Sequence, residues 1–343
     1  MFDNAKPYYH MTDMVLNRLQ DKKALKSHGT KIYGNKFYLK HPFGQANPAV
    51  YFDFEEREFQ LEASLPKLLQ GHNVVGSNRL EYMCLNVAKL IYQQLGLRFT
   101  NRECREVREH RIRLGRLDGT CSFRLDSPQQ AAEVAEVIWE QFRAEGCNWS
   151  AFGQNDFESV YNRQHSTRVT DKFYNKNVEL LKNRIPSGVA ERDYILEFVR
   201  RLLRFEVTWR GKELERLELE YADLWSLPLL KRKVRARLAQ FDFQGVLKDM
   251  LDTMQLDDLN DGQRMFYELW EQGANLRKHR RYRTLDRARN HLLEHHQVDI
   301  YRSAGVGCDI PLREILTVDN AYFTAPKYLT RRGAIFGFDK SIT

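Results

Sequence analysis

Three residues of this chain carry reactive groups at comparable points of three short alternating runs. Tyr174 lies in Lys172-Phe-Tyr-Asn-Lys-Asn-Val-Glu-Leu-Leu-Lys182, Asp118 in Arg116-Leu-Asp-Gly-Thr-Cys-Ser-Phe123 and Glu206 in Leu203-Arg-Phe-Glu-Val-Thr-Trp-Arg210. A phenolic hydroxyl is a candidate nucleophile, and carboxylate oxygens are candidate ligands for a hard divalent ion such as Mg²⁺ or Mn²⁺. Such an ion polarises a phosphate and offsets developing charge, while nearby Lys or Arg neutralises a phosphodiester backbone. A tyrosine beside metal-binding carboxylates in a basic protein therefore suggests breaking and rejoining DNA through a phosphotyrosine, whose covalent bond conserves the energy for rejoining.

The elements that must position these groups read as strands, in which successive side chains alternate faces. Leu117, Gly119, Cys121 and Phe123 oppose Arg116, Asp118, Thr120 and Ser122; Leu203, Phe205, Val207 and Trp209 oppose Arg204, Glu206, Thr208 and Arg210. In the third run Val169 and Phe173 oppose Thr170, Lys172 and Tyr174. With the apolar sides buried under helices, the polar sides are expected to share one open sheet face holding Tyr174, both carboxylates and the cations Lys172, Arg116 and Arg204. A plainer reading stays open: Asp118 and Glu206 as carboxylates paired with Arg116 and Arg204, and Tyr174 as one of sixteen tyrosines, most of which bury a ring. Tyr161, in Ser-Val-Tyr-Asn-Arg-Gln-His165, is the nearest rival nucleophile.

Bulk composition narrows the field. With 343 residues, 42% hydrophobic and 12% aromatic, the chain is a folded protein large enough for two domains. A net charge of +8 points to a polyanionic partner, and the charge is clustered: Lys231–Arg237 and Arg277–Arg283 each hold five cations in seven residues. Five scattered cysteines without a Cys-x-x-Cys pair argue for free thiols in a reducing compartment, against a zinc knuckle or disulfide frame. With no signal-like apolar core at the N-terminus and no uncharged run long enough to span a bilayer, a soluble cytoplasmic protein is expected, with no membrane contact.

Residues 11–20 read as an opening strand, and 32–64 as hairpins around Val50–Phe54 and Phe59–Ala63. A loop from Leu65 to Gly76 precedes a helix over about 78–95. Ser127 and Pro128 announce another helix with Ala131, Val134, Ala135, Ile138 and Phe142 at helical spacing, ended by Gly146. Strands follow at about 149–161 and 168–175, a helix at 192–203 and a strand at 203–210. Up to about 225 this order fits an α+β domain, an antiparallel sheet with helices on one face. Residues 226–343 read as mainly helical. There a capped helix after Asn260 and a basic helix from Thr284 to Leu293 fit a helix-turn-helix-like DNA-binding module, with Arg287, Arg289 and Asn290 pointing out and Arg277, Lys278, Arg280 and Arg281 between the helices. A helical bundle with a basic face fits the same pattern.

Four segments, in order, resemble the gene II replication initiator family of filamentous bacteriophages: Thr12-Asp-Met-Val-Leu-Asn-Arg-Leu19; Ala63-Ser-Leu-Pro-Lys-Leu-Leu-Gln-Gly-His-Asn-Val-Val-Gly76 closed by Leu80; Arg116-Leu-Asp118; and Tyr174-x-Lys176 with Val-Glu-Leu180, then Arg204-Phe-Glu206. The resemblance implies a rolling-circle initiator that nicks the plus strand at an origin, with single- and double-stranded DNA as partners beside a host helicase and polymerase in the bacterial cytoplasm. It also implies a ferredoxin- or RRM-like core of the rolling-circle endonuclease kind. On these positions the family nucleophile falls on Tyr174, with Lys176 beside it and Asp118 and Glu206 as metal ligands; His72 is a third candidate ligand, a phosphate binder or a loop cap. The chain departs from many rolling-circle endonucleases in lacking a His-hydrophobe-His strand. A non-catalytic, sequence-specific DNA-binding regulator of replication is the alternative.

Overall fold

A computed structural model describes residues 1–21, 25, 29–144, 149–152, 159–241, 253–272, 274, 276, 283–296, 298–301 and 312–331. Its centre is the strand β6 (Arg113–Arg124), long enough to take a different neighbour at each end of one edge. In chain order the strands before it are β1 (Phe2–His10), β2 (Lys36–Tyr38), β3 (Ala49–Asp53), β4 (Glu58–Leu61) and β5 (Ala63–Ser64). After it come β7 (Trp149–Phe152), β8 (Ser159–Asn162), β9 (Val169–Asn175), β10 (Leu202–Arg210) and β11 (Ala321–Tyr322). They form one antiparallel sheet ordered β2-β3-β4-β1-β6-β10-β9-β8-β7, with β5 on β1 and β11 on β6.

The longer helices are α1 (Asp13–Gln20), α2 (Leu65–Gln70), α3 (Leu80–Gln94), α4 (Asn101–Glu109), α5 (Pro128–Ala144), α6 (Lys176–Lys182), α7 (Arg192–Val199), α8 (Gly211–Arg216), α9 (Leu227–Leu238), α10 (Asp261–Glu271) and α11 (Arg283–His296), beside short helical turns at Thr253–Asp257, Leu312–Ile315 and Lys327–Arg331. Local chemistry starts several of them. Ser127 accepts a hydrogen bond from the Gln130 amide ahead of Pro128, Asn175 accepts from the amides of Asn177 and Val178, and Asn260 forms a capping box with Gln263. The expected strand at 11–20 is instead the helix α1, and the opening strand is β1, just before it. Val15 and Leu19, four residues apart, both reach the core, which is helical rather than strand periodicity.

The main core lies on the apolar face of the sheet, where Leu117, Cys121, Phe173, Phe205, Val207 and Trp209 meet α3, α5 and α9. Gly119 is required there. A Cβ at that position would stand 2.6 Å from Leu230 and 2.7 Å from the buried Trp209 ring, so the strand admits α9 only without a side chain.

The segment after residue 225 is divided between two cores. Leu230, Val234, Leu238, Leu312, Leu316 and Phe323 belong to the main one, and β11 hydrogen-bonds to β6. Leu259, Tyr267, Trp270, Leu285, Leu292 and Val298 form another around α10 and α11. No helix among the described residues is long and apolar enough to cross a membrane.

Gly119→Ala is expected to destabilise the fold by about 1–3 kcal/mol, as overpacking does. Gly188→Ala, which meets nothing within 4 Å, is expected to stay within about 0.5 kcal/mol of wild type. Denaturant titration of both variants distinguishes a packing constraint at Gly119 from a general intolerance of alanine.

Candidate active site

Strand register lays the polar side chains out in rows. Ser122, Arg204, Tyr174 and Ser159 are successive cross-strand partners, Thr120, Glu206, Lys172 and Tyr161 form the next row, and Asp118 sits opposite Thr208, itself opposite Thr170. Glu206 is therefore diagonal to both Tyr174 and Asp118 on one face. The Tyr174 hydroxyl donates to Glu206 Oε2 at 3.3 Å. Lys172 lies over the Tyr174 ring at 4.1 Å and the Tyr161 ring at 5.0 Å from their centroids.

This face is covered along the Arg204 and Tyr174 row but only partly along the next, where Glu206, Lys172 and Tyr161 are half-buried, so it is less open than the alternation predicted. Tyr174 is 3% exposed, and Asp118 and Arg204 are fully buried. The cover is the loop 71–76 together with α6 and α7. Val74, Val75, Leu180, Ile195, Phe198 and Val199 make an apolar cluster above the polar strands. Period-two alternation reports which side chains share a face, but not that a distant loop lies on it.

Polar bonds pin the cover. The Arg204 guanidinium donates to the Asn73 carbonyl at 2.6 Å, to the Val74 carbonyl, and through Nε to Ser122 Oγ at 3.3 Å. Arg204, expected as a DNA contact, is thus committed to the protein's own backbone. Asn73 donates to Asp3 at 2.7 Å and accepts from Lys176 Nζ at 2.8 Å, while Lys176 also donates to Glu179 at 2.5 Å. Asp3 and Asn73, which sequence reasoning did not single out, join the first strand, the loop and α6. Asn73 did lie within the distinctive Gln-Gly-His-Asn motif, and the fold explains that motif. Gln70 donates to the carbonyls of His72 and Val75. Gly71 ends α2 in the left-handed region at φ 81°, with Val189 2.5 Å from where a Cβ would be.

Burial sets the electrostatics. Burial, then the Asp118 charge, push the Glu206 carboxyl up to about 7 against the pull of Lys172. Asp118 is also raised by burial, opposed by Arg116, which grips it at 2.9 and 2.8 Å, and by Asn4 at 3.0 Å. Burial opposes the Lys172 charge, but Glu206 and Tyr161 outweigh it and hold that lysine above its usual range. Burial and then Glu206 hold the Tyr174 phenol well above 10. Lys176 is lowered to about 7 by burial and then Arg204.

The remaining expected residues fall elsewhere. His72 is buried and ties to Gln70. Among the described residues no three His, Cys, Asp or Glu side chains converge on a metal position, so Asp118 and Glu206 stand as a pair without it. Arg116 spans Asp118 and Glu62. Arg289, expected to point out, is buried and chelates Asp299 at 2.7 and 2.5 Å, because a guanidinium inside the α10–α11 core requires a carboxylate. Arg287 is exposed on α11. Arg277, Lys278, Arg280 and Arg281 lie outside the described residues.

Residues 17–227 match the model of the Phage_CRI family, described as the N-terminal part of the gene II replication-associated protein. The chain is 25% identical over 213 residues to the replication-associated protein of that kind from Enterobacteria phage I2-2, covering 60% of this chain and 59% of that protein's length. It is also similar, at 14% identity and a TM-score of 0.32, to a rolling circle replication initiator protein from Geobacillus stearothermophilus, over 70% of this chain and 84% of that one.

Glu206 gives the site a pH signature. Its folded pKa is raised, so the folded state binds more protons than the unfolded chain between about 4.5 and 7, and stability from this group falls as pH rises through that window. Glu206→Gln removes the penalty. The melting-temperature advantage of the variant over wild type is expected to be small below pH 4.5, to grow up to about pH 7 and then to level off. An advantage independent of pH would contradict the buried-carboxylate account.

Proposed function

The chain belongs to the Phage_CRI family of phage replication-associated proteins, and on that premise we propose that it initiates rolling-circle replication by nicking one strand of an origin through Tyr174. The observation that carries the reading is the hydrogen bond from the Tyr174 hydroxyl to Glu206, with Lys172 against the same ring. In the proposed step Tyr174 Oη attacks the scissile phosphorus as the bond from phosphorus to the 3′-oxygen breaks. The products are a 5′-phosphotyrosine and a free 3′-hydroxyl, and the reverse attack by a 3′-hydroxyl rejoins the strand. Glu206 accepts the phenolic proton along the existing hydrogen bond, and the leaving 3′-oxygen takes its proton from water. Lys172 and Lys176, 4.1 and 5.7 Å from the ring centroid, balance the charge that appears on the phenolate.

Asp118 and Glu206 suit a hard divalent ion. The Asp118 charge raises the Glu206 carboxyl, a repulsion a cation relieves, and ions such as Mg²⁺ are commonly held by one or two carboxylates with phosphate and water completing the shell. These two residues would hold Mg²⁺ or Mn²⁺, which supplies Lewis-acid polarisation of the phosphate when bound. For Asp118 this requires sharing oxygens that Arg116 and Asn4 now occupy. His72 supports the site as a loop element.

The role calls for origin DNA as substrate, a host helicase and polymerase as partners, and the bacterial cytoplasm as setting. Helices α10 and α11, with exposed Arg287 and the basic run 277–283, form the origin-reading part of the proposal. The chain spans 59% of the length of the curated phage I2-2 relative.

Incubation with supercoiled DNA carrying the cognate origin and Mg²⁺ tests the reading. Wild type is expected to give nicked circles and a protein–DNA adduct stable to denaturant. Tyr174→Phe is expected to lose both by at least about a thousandfold, and a chelator to suppress nicking. Equal nicking by the two proteins removes Tyr174 as nucleophile. Specific binding by both without nicking by either establishes the non-catalytic regulator instead.

A further inference from the structure

The charge run Lys231–Arg237 forms most of α9, which packs on the apolar face of the sheet through Leu230, Val234 and Leu238. Its contact with Gly119 places it opposite the face that holds Asp118 and Tyr174. The run divides by direction. Arg237 turns inward and grips the buried Asp171 in a bidentate ion pair, whereas Lys231, Arg232 and Arg235 are exposed. Asp319 pairs with Arg235 at 3.3 Å; among the described residues no carboxylate partners Lys231 or Arg232. Lys233 is held below the usual lysine range by partial burial, then by Arg232 and Arg216, so cations crowd this surface from both α8 and α9.

Beside the exposed cations runs an open groove of about 530 Å³, lined by Pro228, Lys231, Arg232, Arg235, Val318 and Asp319 with Ala321. Among the described residues no aromatic ring lines it, and the Phe323 ring near Lys231 is buried. Binding of single strands relies on aromatic platforms for unstacked bases, whereas a rigid helix face of cations suits the regular phosphates of a duplex. We propose that the outer face of α9, through Lys231, Arg232 and Arg235, is a sequence-independent docking surface for the phosphate backbone of duplex DNA on the side of the sheet opposite Tyr174. The inference takes DNA as the partner from the proposed function but does not depend on the nicking chemistry. The cations engage duplex outside the cleaved strand, so they set how the protein holds its template and leave attack on a strand at the other face unchanged.

The test compares full-length wild type with a Lys231→Gln/Arg232→Gln/Arg235→Gln variant and with Arg232→Gln alone, which spares the Asp319 pair. Fluorescence anisotropy measures binding to a random-sequence duplex of about 30 base pairs, long enough to cover the face, and to a single strand of equal length over a range of salt. Circular dichroism checks folding. The triple variant is expected to lose at least about tenfold in duplex affinity, with the slope of log affinity against log salt shallower by about 2 to 3, and Arg232→Gln by about 1. Single-strand affinity and cleavage of a single-stranded substrate are expected to change less than about twofold, because neither uses this face. Unchanged duplex affinity and slope overturn the proposal and favour an acidic protein as occupant. Equal losses on both DNA forms also overturn it. If wild type cuts no DNA, the nicking reading fails, and the duplex measurements still decide this one.

Discussion

The buried guanidinium of Arg204 is the interaction on which the rest of the site depends. It sits in the middle of a strand, beneath a loop whose carbonyls at 73 and 74 would otherwise lack donors. A buried backbone acceptor without a partner costs about 1–3 kcal/mol, and an unpaired buried charge far more, so loop and arginine satisfy each other. Asp3 supplies the nearby negative charge at 3.9 Å, and Asn73 extends the arrangement to Lys176. Through these few bonds the first strand, the Gln70–Gly76 turn, the central strand and the start of α6 hold one geometry around Tyr174.

Covering part of this face is what gives its groups unusual titration. On an open sheet, Glu206 and Lys176 would ionise near their ordinary values. Under the cover, burial is the largest influence on both, bringing each to about 7 from opposite directions. One enclosure thus makes a carboxylate easier to protonate and an ammonium easier to deprotonate, and the two flank the same phenol. Such opposed shifts are a recurring property of sites that move protons.

Much of this is legible in the sequence. Alternation in 116–123 and 203–210 assigns the right faces, because a strand's side chains alternate whatever covers them. Ser127 and Asn260 mark helix starts through local hydrogen bonding, whereas the stretch read as a loop from Leu65 begins with the helix α2, capped by Ser64 and ended by Gly71. Long-range placement is not legible. The helix α1 reads as a strand because its eight residues hold only two turns of periodicity. Arg204 and Arg289 read as outward-facing because charge usually is, yet each meets a buried partner that the local pattern does not reveal. The metal role of His72 comes from resemblance alone, and its ring packs with the loop's own Gln70.

The two-residue strand β11 gives the fold a history as well as a shape. Ala321 pairs with Phe123 and Tyr322 with Ser122, on the same edge of β6 that takes β1 lower down. The central strand is therefore flanked by the earliest and by nearly the latest described parts of the chain. Pairings of such separation close large loops and form slowly. During synthesis from the N-terminus, the far end of β6 keeps unpaired backbone groups until residue 322 has emerged, an edge open to pairing with other chains. A nascent chain of this protein completes its central sheet only after residue 322 has been made.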